Sequence, residues 1–328
     1  MTDLIPIFDW QQHIIEPWSE DSAFSIWVVI MGFFVTSACG LVGVYLLLRR
    51  MALVGDAISH SVLPGLVFAF LVFRHSGTLV MFLGAIVAGM VTVLIIEFIH
   101  RQSRVKPDAA ICIAFTLLFA LGVAMMSNLE TQGSFHIDAE CVLYGEIAFV
   151  ALEPPMMMGE TEIGPPSVIR MGLVLLGVLA AIIVFYKELL VTSFDAGLAK
   201  SLGMRTAVWH YGLMAALSIV VVAAFESVGA ILAVAMLIVP PMFAAQLSDR
   251  MVTRMILVVF HAALSSLIGY HLSVWLACST AGAMTVVASV LFVLVWVGTA
   301  VKRSLTRCLM KKSETGGLFA EPVRSENP

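Results

Sequence analysis

The sequence predicts an all-α fold: a polytopic helical membrane protein with about nine transmembrane spans, within a range of eight to ten. Of the 328 residues, 60% are hydrophobic and only 12% are charged, and the mean hydropathy is +1.01. Several apolar runs exceed the ~18 residues that cross a hydrocarbon core of about 30 Å. These runs are continuous rather than alternating, which indicates helices and not the strands of a transmembrane barrel.

Charged or proline-bearing segments separate most of the expected spans, which cover residues 24–48, 52–73, 79–99, 109–126, 168–186, 207–224, 228–245, 255–272 and 274–301. Before them, residues 1–22 are acidic, carry Trp10 and Trp18 and lack the features of a signal peptide. We expect this segment to be an interfacial arm on the outer side of the membrane. Residues 23–301 form the transmembrane domain, and residues 302–328 form a cytoplasmic tail that we expect to be disordered.

The distribution of positive charge predicts the orientation of the chain. Lysines and arginines collect after the odd-numbered spans, with clusters at residues 49–50, 100–106 and 302–312. The positive-inside rule then places the N-terminus outside and the C-terminus in the cytoplasm. The longest polar interval, residues 127–167, contains seven carboxylates and no Lys or Arg, and it falls outside. The five cysteines are scattered without a CxxC pair and give no case for a disulfide framework.

The motif that organises the chain is RRMALVGDAISHSVLPG, residues 49–65. Asp56 and His60 lie four residues apart in the second span, so a helix places both on one face, about 6 Å apart along its axis. Ionisable residues within a membrane span are costly and are read by default as functional. A carboxylate and an imidazole together accept first-row divalent ions. Two ligands suit a transit site that must also release its ion.

The alternative for this pair is a structural role, in which the carboxylate caps a broken helix or bonds to a neighbouring one. Pro64 supports a local break, because it lacks the N–H that would bond the carbonyl of His60. Pro64 and Gly65 are therefore a candidate hinge. Pro240 and Pro241, near the end of the seventh span, are a second candidate, although proline is common in membrane helices.

Two further features bear on function. Residues 194–204 form a short amphipathic segment in a predicted cytoplasmic loop, which is either an ordinary interfacial helix or a docking helix for a partner. Because no GxxxxGK[ST] phosphate-binding loop occurs in the chain, ATP-driven transport would use a separate ATPase subunit. Glu226 lies between the sixth and seventh expected spans, either as a solvated loop carboxylate or as a ligand at the outer mouth.

The motif at residues 49–65 resembles the signature of the permease subunits of bacterial zinc/manganese/iron ABC transporters, where RRM-x-L-x-G-D-x-x-x-H opens the second span. Three further segments resemble the same family in the same order: HIDAECVLYGEI, KELLVTSFDAGLAKSLGM and FESVGAILAVAMLIVPPMFAAQLSDR. The likeness extends from about residue 30 to 300. The outer segment, CVLYGEI, looks more like the manganese/iron branch of the family than the zinc branch.

The resemblance implies a transport subunit rather than an enzyme, without a permanently bound cofactor, in the bacterial inner membrane. Two permease chains, identical or different, would form a channel in the lipid bilayer. A cytoplasmic ATP-binding subunit would hydrolyse ATP, and an extracytoplasmic metal-binding protein would deliver Mn²⁺, Fe²⁺ or Zn²⁺. Nucleic acid has no part in this function.

The resemblance also implies roles for the residues that match the motifs of the family. Asp56 and His60 match residues expected to contact the metal, and Glu226 matches a late glutamate of the family. The expected coupling to the ATPase involves the segment that contains Asp195, Ala196, Ala199 and Gly203. The doublet at 240–241 departs from the family, because many relatives have a single proline followed by a small residue.

Two other functions remain open on the sequence. In a proton-coupled secondary carrier, Asp56 and His60 would relay protons, and transport would respond to uncouplers rather than to ATP depletion. The lack of visible inverted-repeat symmetry weighs against that class. A membrane assembly subunit without transport activity would instead leave metal uptake intact when it is deleted.

Overall fold

The structure, a computed structural model, describes residues 8–19, 21–73, 78–131, 147–158 and 161–317. A π-helical turn, Gln11–Ile15, precedes twelve described helices. Helices α1 to α12 cover Glu16–Ser19, Ser22–Leu48, Val54–Phe73, Thr78–Gln102, Pro107–Thr131, Ile147–Val150, Pro166–Val184, Tyr186–Phe194, Ala196–Ser201, Thr206–Leu247, Met251–Leu276 and Thr280–Gly317. Strands β1 (Met156–Met158) and β2 (Thr161–Gly164) form a small antiparallel ribbon in which Met157 pairs with Glu162.

Within the described residues, eight helical segments are long and apolar enough to cross a membrane, and Leu232–Leu247 is a shorter apolar helix. The eight are α2, α3, α4, α5, α7, the first part of α10, α11 and α12. The expected polytopic helical membrane protein is therefore confirmed. The fifteen residues 132–146 of the predicted acidic interval lie outside the described part of the chain.

Helix α10 reverses direction at Gly229, whose backbone angles (φ 76°, ψ 172°) are far from helical. A positive φ favours glycine because a β-carbon would clash with the backbone there. The reversal is visible in the packing of Gly55: a β-carbon placed on it would lie 2.1 Å from Leu237 Cδ2 and 3.8 Å from Leu217 Cδ1. In a straight helix those two leucines would be about 30 Å apart. The two parts of α10 thus lie side by side, and nine described segments run along the bundle.

Helix α2 is the centre of the bundle. Every residue from Val35 to Leu46 is buried, and α2 packs against α7, α10 and α11. Its close contact with the second part of α10 depends on Gly43, where a β-carbon would lie 2.0 Å from the carbonyl oxygen of Leu237. Pro241 has no N–H to bond that carbonyl, so the oxygen is free to rest on the glycine.

Helices α3, α4 and α5 pack against one another beside this centre. A β-carbon on Gly65 would lie 2.6 Å from the carbonyl oxygen of Gly84, and one on Gly122 would lie 2.7 Å from Pro64 Cδ. The candidate hinge at Pro64 and Gly65 is therefore tightly packed between α4 and α5.

The two ends of the chain extend the bundle. At the start, Trp18 Nε1 donates a hydrogen bond to His271 Nε2 at 3.2 Å, and His271 Nδ1 lies 3.1 Å from the carbonyl oxygen of His13. The predicted arm is thus attached to the end of α11. At the other end, α12 continues to Gly317, into the segment predicted as a disordered tail. Residues 318–328 lie outside the described residues, and the predicted domain boundaries stay predictions.

Candidate functional site

The structure brings Asp56 and His60 together as the spacing predicts. Both lie on the first two turns of α3, and His60 Nε2 is 3.5 Å from Asp56 Oδ1. This distance exceeds a normal N–H···O hydrogen bond. If one ion were bound by both atoms at about 2.1 Å, the 3.5 Å between Nε2 and Oδ1 would correspond to an N–metal–O angle of about 110°, which is nearly tetrahedral. The two side chains are therefore spaced to share one ion.

An aromatic wall from α5 fixes the imidazole of His60. The ring centroid of Phe115 lies 4.8 Å from that of His60, and the centroid of Phe119 lies 5.7 Å away at an interplanar angle of 83°. The Nδ1 atom of His60 is buried and has no hydrogen-bond partner among the described residues. A buried polar nitrogen without a partner is costly. Because Nδ1 makes no hydrogen bond, it is the packing of Phe115 and Phe119 that holds the ring in place.

The pair is open on its other side. The side chains of His60 and Asp56 are 26% and 44% exposed, and the described residues contain no cluster of three or more His, Cys, Asp and Glu that could hold a metal ion. An ion held by this pair would have two ligands from one chain, and its remaining positions would fall to water or to another molecule. A site of that kind would hold an ion without enclosing it.

The site lies about half-way along the bundle. A β-carbon on Gly55, next to Asp56, would lie within 4 Å of the side chains of Leu217 and Leu237. Leu217 lies eleven residues after the start of α10 at Thr206, about 16 Å of helix, and Leu237 lies ten residues before its end, about 15 Å. A hydrocarbon core is about 30 Å thick. The packing therefore places Asp56 about half-way along the bundle.

The segment predicted to dock a partner forms a compact turn. Helix α8 ends at Phe194, and Asp195 caps α9: its Oδ1 accepts hydrogen bonds from the backbone N–H groups of Gly197 and Leu198 at 2.8 and 3.0 Å. A cap of this kind satisfies N–H groups that the helix cannot. Gly203 closes the turn with a φ of 78°.

The surface of this turn is apolar and exposed. Ala199 is fully buried and anchors α9 to the bundle, while Phe194, Leu198 and Leu202 are 65%, 52% and 64% exposed. Exposed apolar patches that are surrounded by polar residues are typical of binding surfaces. Ala196 begins α9 at its exposed end.

Sequence reasoning missed the contacts of Arg49. Its Nε donates to Ser193 Oγ at 3.0 Å, and its NH2 donates to Thr192 Oγ1 at 3.2 Å. Its NH1 lies 3.4 Å from His210 Nδ1. Burial lowers the pKa of the Arg49 guanidinium from its ordinary value. In the sequence, Arg49 belongs to an arginine doublet that opens the motif at residues 49–65 and marks the orientation of the chain, and neither feature predicts these contacts.

A second polar contact lies beside it. Tyr211 donates its hydroxyl to Glu97 of α4, and Glu97 also pairs with Arg101 one turn further along the same helix. Arg49, Glu97 and His210 line a cavity of about 440 Å³ between α2, α4 and α10. The ends of these three helices are thus connected by charged and polar side chains.

The remaining predicted residues lie in α10. The backbone of Glu226 is helical and lies three residues before the reversal at Gly229. Pro240 and Pro241 lie in the returning part and pack against α2: a β-carbon on Gly40 would be 3.3 Å from Pro240 Cβ. This second candidate hinge is therefore also held by close packing.

The fold is that of a polytopic membrane protein: a bundle of apolar helices in which Asp56 and His60 lie together on α3 and the turn at α9 exposes apolar side chains. The chain belongs to the ABC 3 transport family, whose profile matches residues 21–299. It is 41% identical to the "Manganese transport system membrane protein MntD" of Bacillus subtilis (strain 168), over 82% of this chain and 90% of that protein.

Two other similarities extend this result. The chain is 39% identical to the "Zinc transport system membrane protein TroD" of Treponema pallidum (strain Nichols), over 87% of this chain and 77% of that protein. Among solved structures, it resembles "PsaBC from Streptococcus pneumoniae in complex with Fab", with a TM-score of 0.70 and 31% identity over 86% of this chain and 94% of that chain. The relatives are transport subunits, in agreement with the expectation that the chain is not an enzyme.

Proposed function

We propose that this chain is the permease of an ABC importer for a divalent transition metal, and that two permease chains form the channel. The observation that carries the proposal is the Asp56–His60 pair, with its 3.5 Å separation and its open side half-way along the bundle. A second chain that presents the same pair across a two-fold axis would complete the coordination of an ion. The names of the relatives support a metal as the cargo.

We propose Mn²⁺ as the principal ion, with Fe²⁺ and Zn²⁺ as competitors. Asp and His together accept all three, so the choice depends on the rest of the chain. The manganese transport protein of Bacillus subtilis is 41% identical to this chain, and the outer segment CVLYGEI resembles the manganese/iron branch. An incomplete, exposed site also suits an ion that must be released within each cycle.

The orientation with the N-terminus outside places the docking turn, Arg49 and the end of α12 in the cytoplasm. A separate ATP-binding subunit would hold the exposed side chains of α9, and ATP binding would move that turn relative to the bundle. An extracytoplasmic metal-binding protein would deliver the ion at the end where Glu226 lies. The ion would then pass Asp56 and His60 of both chains before it enters the cytoplasm.

The test is metal uptake by proteoliposomes that contain the permease, its ATPase subunit and the binding protein, with ATP hydrolysis measured in parallel. Asp56→Asn and His60→Gln each remove a ligand. Loss of even an outer-shell partner lowers metal affinity 10–100-fold, so we expect uptake to fall at least about tenfold while ATP is still hydrolysed. Asp108→Asn is the matched control, because Asp108 also lies in the first turn of its helix but is exposed.

Normal transport by both ligand variants would refute the assignment of the site. Uptake by wild type in the absence of the ATPase subunit, with sensitivity to a proton uncoupler, would instead establish the secondary carrier. Comparison of Mn²⁺, Fe²⁺ and Zn²⁺ in the same vesicles identifies the ion.

A further inference from the structure

We infer that Arg49 is a positioning residue for energy coupling: it joins the docking turn at α9 to the start of α3, the helix that carries Asp56 and His60. This inference rests on the proposed function and goes beyond it, because it assigns a role to a side chain outside the metal site and outside the docking surface. The two segments that Arg49 joins are more than 140 residues apart in sequence.

The first step of the argument is the geometry of the guanidinium. Nε and NH2 lie on one edge of its planar fork, and they donate to the hydroxyls of two consecutive residues, Ser193 and Thr192. Because the planar fork binds two adjacent acceptors, it fixes the orientation of the arginine side chain as well as its distance from α8. Ser193 and Thr192 are each 7% exposed, so water competes little for these bonds.

The second step is the position of the two acceptors. They lie in the last turn of α8, directly before Phe194 and Asp195. Asp195 in turn caps α9, the helix whose exposed face is the proposed contact with the ATPase. A displacement of α9 therefore reaches Thr192 and Ser193 through only two intervening residues, Phe194 and Asp195.

The third step is the stiffness of the turn between Arg49 and α3. Arg49 is the C-cap of α2, and its N–H bonds the carbonyl of Tyr45 at 3.1 Å. The chain then turns through Arg50 in a left-handed conformation (φ 57°). The N–H of Met51 bonds the carbonyl of Leu46, and that of Val54 bonds the carbonyl of Met51. A force on Arg49 is thus transmitted to α3 through a backbone with few free torsions.

A parallel path strengthens this connection. Arg49 NH1 contacts His210, and the next residue, Tyr211, is bonded to Glu97 of α4. Helix α4 packs on α3 where Gly84 meets Gly65. Both paths from the docking turn therefore end on α3, the helix that carries Asp56 and His60.

The experiment measures the number of metal ions moved per ATP hydrolysed, with Mn²⁺ as the ion, in the reconstituted complex of permease, ATPase subunit and binding protein. Arg49→Lys keeps the charge but loses the fork, and Arg49→Gln loses both. We expect the ratio to fall about tenfold in each, since hydrogen bonds to a charged group shift equilibria by that order. Arg50→Lys is the matched control, because Arg50 is exposed and lies in the same turn.

The acceptor side supplies a second measurement that leaves Arg49 in place. The double variant Thr192→Val/Ser193→Ala removes both hydroxyls and should lower the ratio to the same extent as Arg49→Lys. A purely structural role for Arg49 would reduce the amount of folded permease, so that uptake and ATP hydrolysis fall together and the ratio stays constant.

A wild-type ratio in Arg49→Lys, or in the double variant, would overturn the inference. Should Arg49→Gln fail to fold, the other two variants still decide. If the wild-type complex moves no metal, the proposed function itself fails. If it moves metal and the variants keep its ratio, only the role of Arg49 fails.

Discussion

Gly43→Ala tests whether α2 and the returning part of α10 are in backbone contact. The added β-carbon would lie 2.0 Å from the carbonyl oxygen of Leu237 and 2.9 Å from Pro241 Cγ. Since carbon–oxygen contacts are normally about 3.3 Å or longer, the two helices would have to separate by about 1.3 Å. Backbone atoms cannot yield as a flexible side chain does. Overpacking of this kind costs about 1–3 kcal/mol, and we expect the thermal midpoint to fall by about 2–6 °C.

The assay is thermal unfolding of the purified permease in detergent, followed by tryptophan fluorescence. Gly177→Ala is the matched control: Gly177 lies in α7, and a β-carbon there meets nothing within 4 Å. Alanine in a helix interior is favoured over glycine by about 0.5–1 kcal/mol, so the control should unfold at the wild-type temperature or slightly above. If Gly43→Ala unfolds at the same temperature as Gly177→Ala, the close packing of these helices is refuted.

Two further substitutions test the reversal at Gly229 and the side-chain cap at Asp195. Gly229→Ala places a side chain at φ 76° and ψ 172°, a region that is essentially restricted to glycine, which costs about 1–3 kcal/mol. We expect a lower thermal midpoint than for Gly298→Ala, whose β-carbon meets nothing within 4 Å; equal midpoints would contradict the reversal. Asp195→Ala removes the cap of α9 and about 1 kcal/mol of helix stability. Binding of the ATPase subunit to vesicles that contain this variant should weaken. Asp195→Asn can still accept both hydrogen bonds, from Gly197 and Leu198, and should bind the subunit as wild type does.

The site was predictable to the extent that it depends on one helix. Asp56 and His60 are four residues apart, and α-helical geometry alone places them on one face. Phe115 and Phe119, which hold the imidazole, repeat the same spacing on α5. No local signal distinguishes them from the other aromatic residues of a membrane span, because their role arises from the packing of α5 on α3.

Arg49 shows a different limit. Two arginines end the first span, and the sequence treats them alike. In the structure Arg49 turns inward to hydroxyls on α8, while Arg50 takes a left-handed conformation and is exposed. The difference depends on where α8 lies relative to α2, which local charge and hydropathy do not specify.

The class of fold was predictable from the sequence alone, because the length and continuity of apolar runs decide whether a segment crosses a membrane. The proximity of Asp56 to His60 and the short helix α9 were predictable as well, since both are patterns along single segments. Three features required the tertiary structure: Leu217 and Leu237 lie beside Gly55, the freed carbonyl of Leu237 packs against Gly43, and Arg49 joins α8 to the start of α3. These contacts link residues far apart in the chain, and packing between helices selects them.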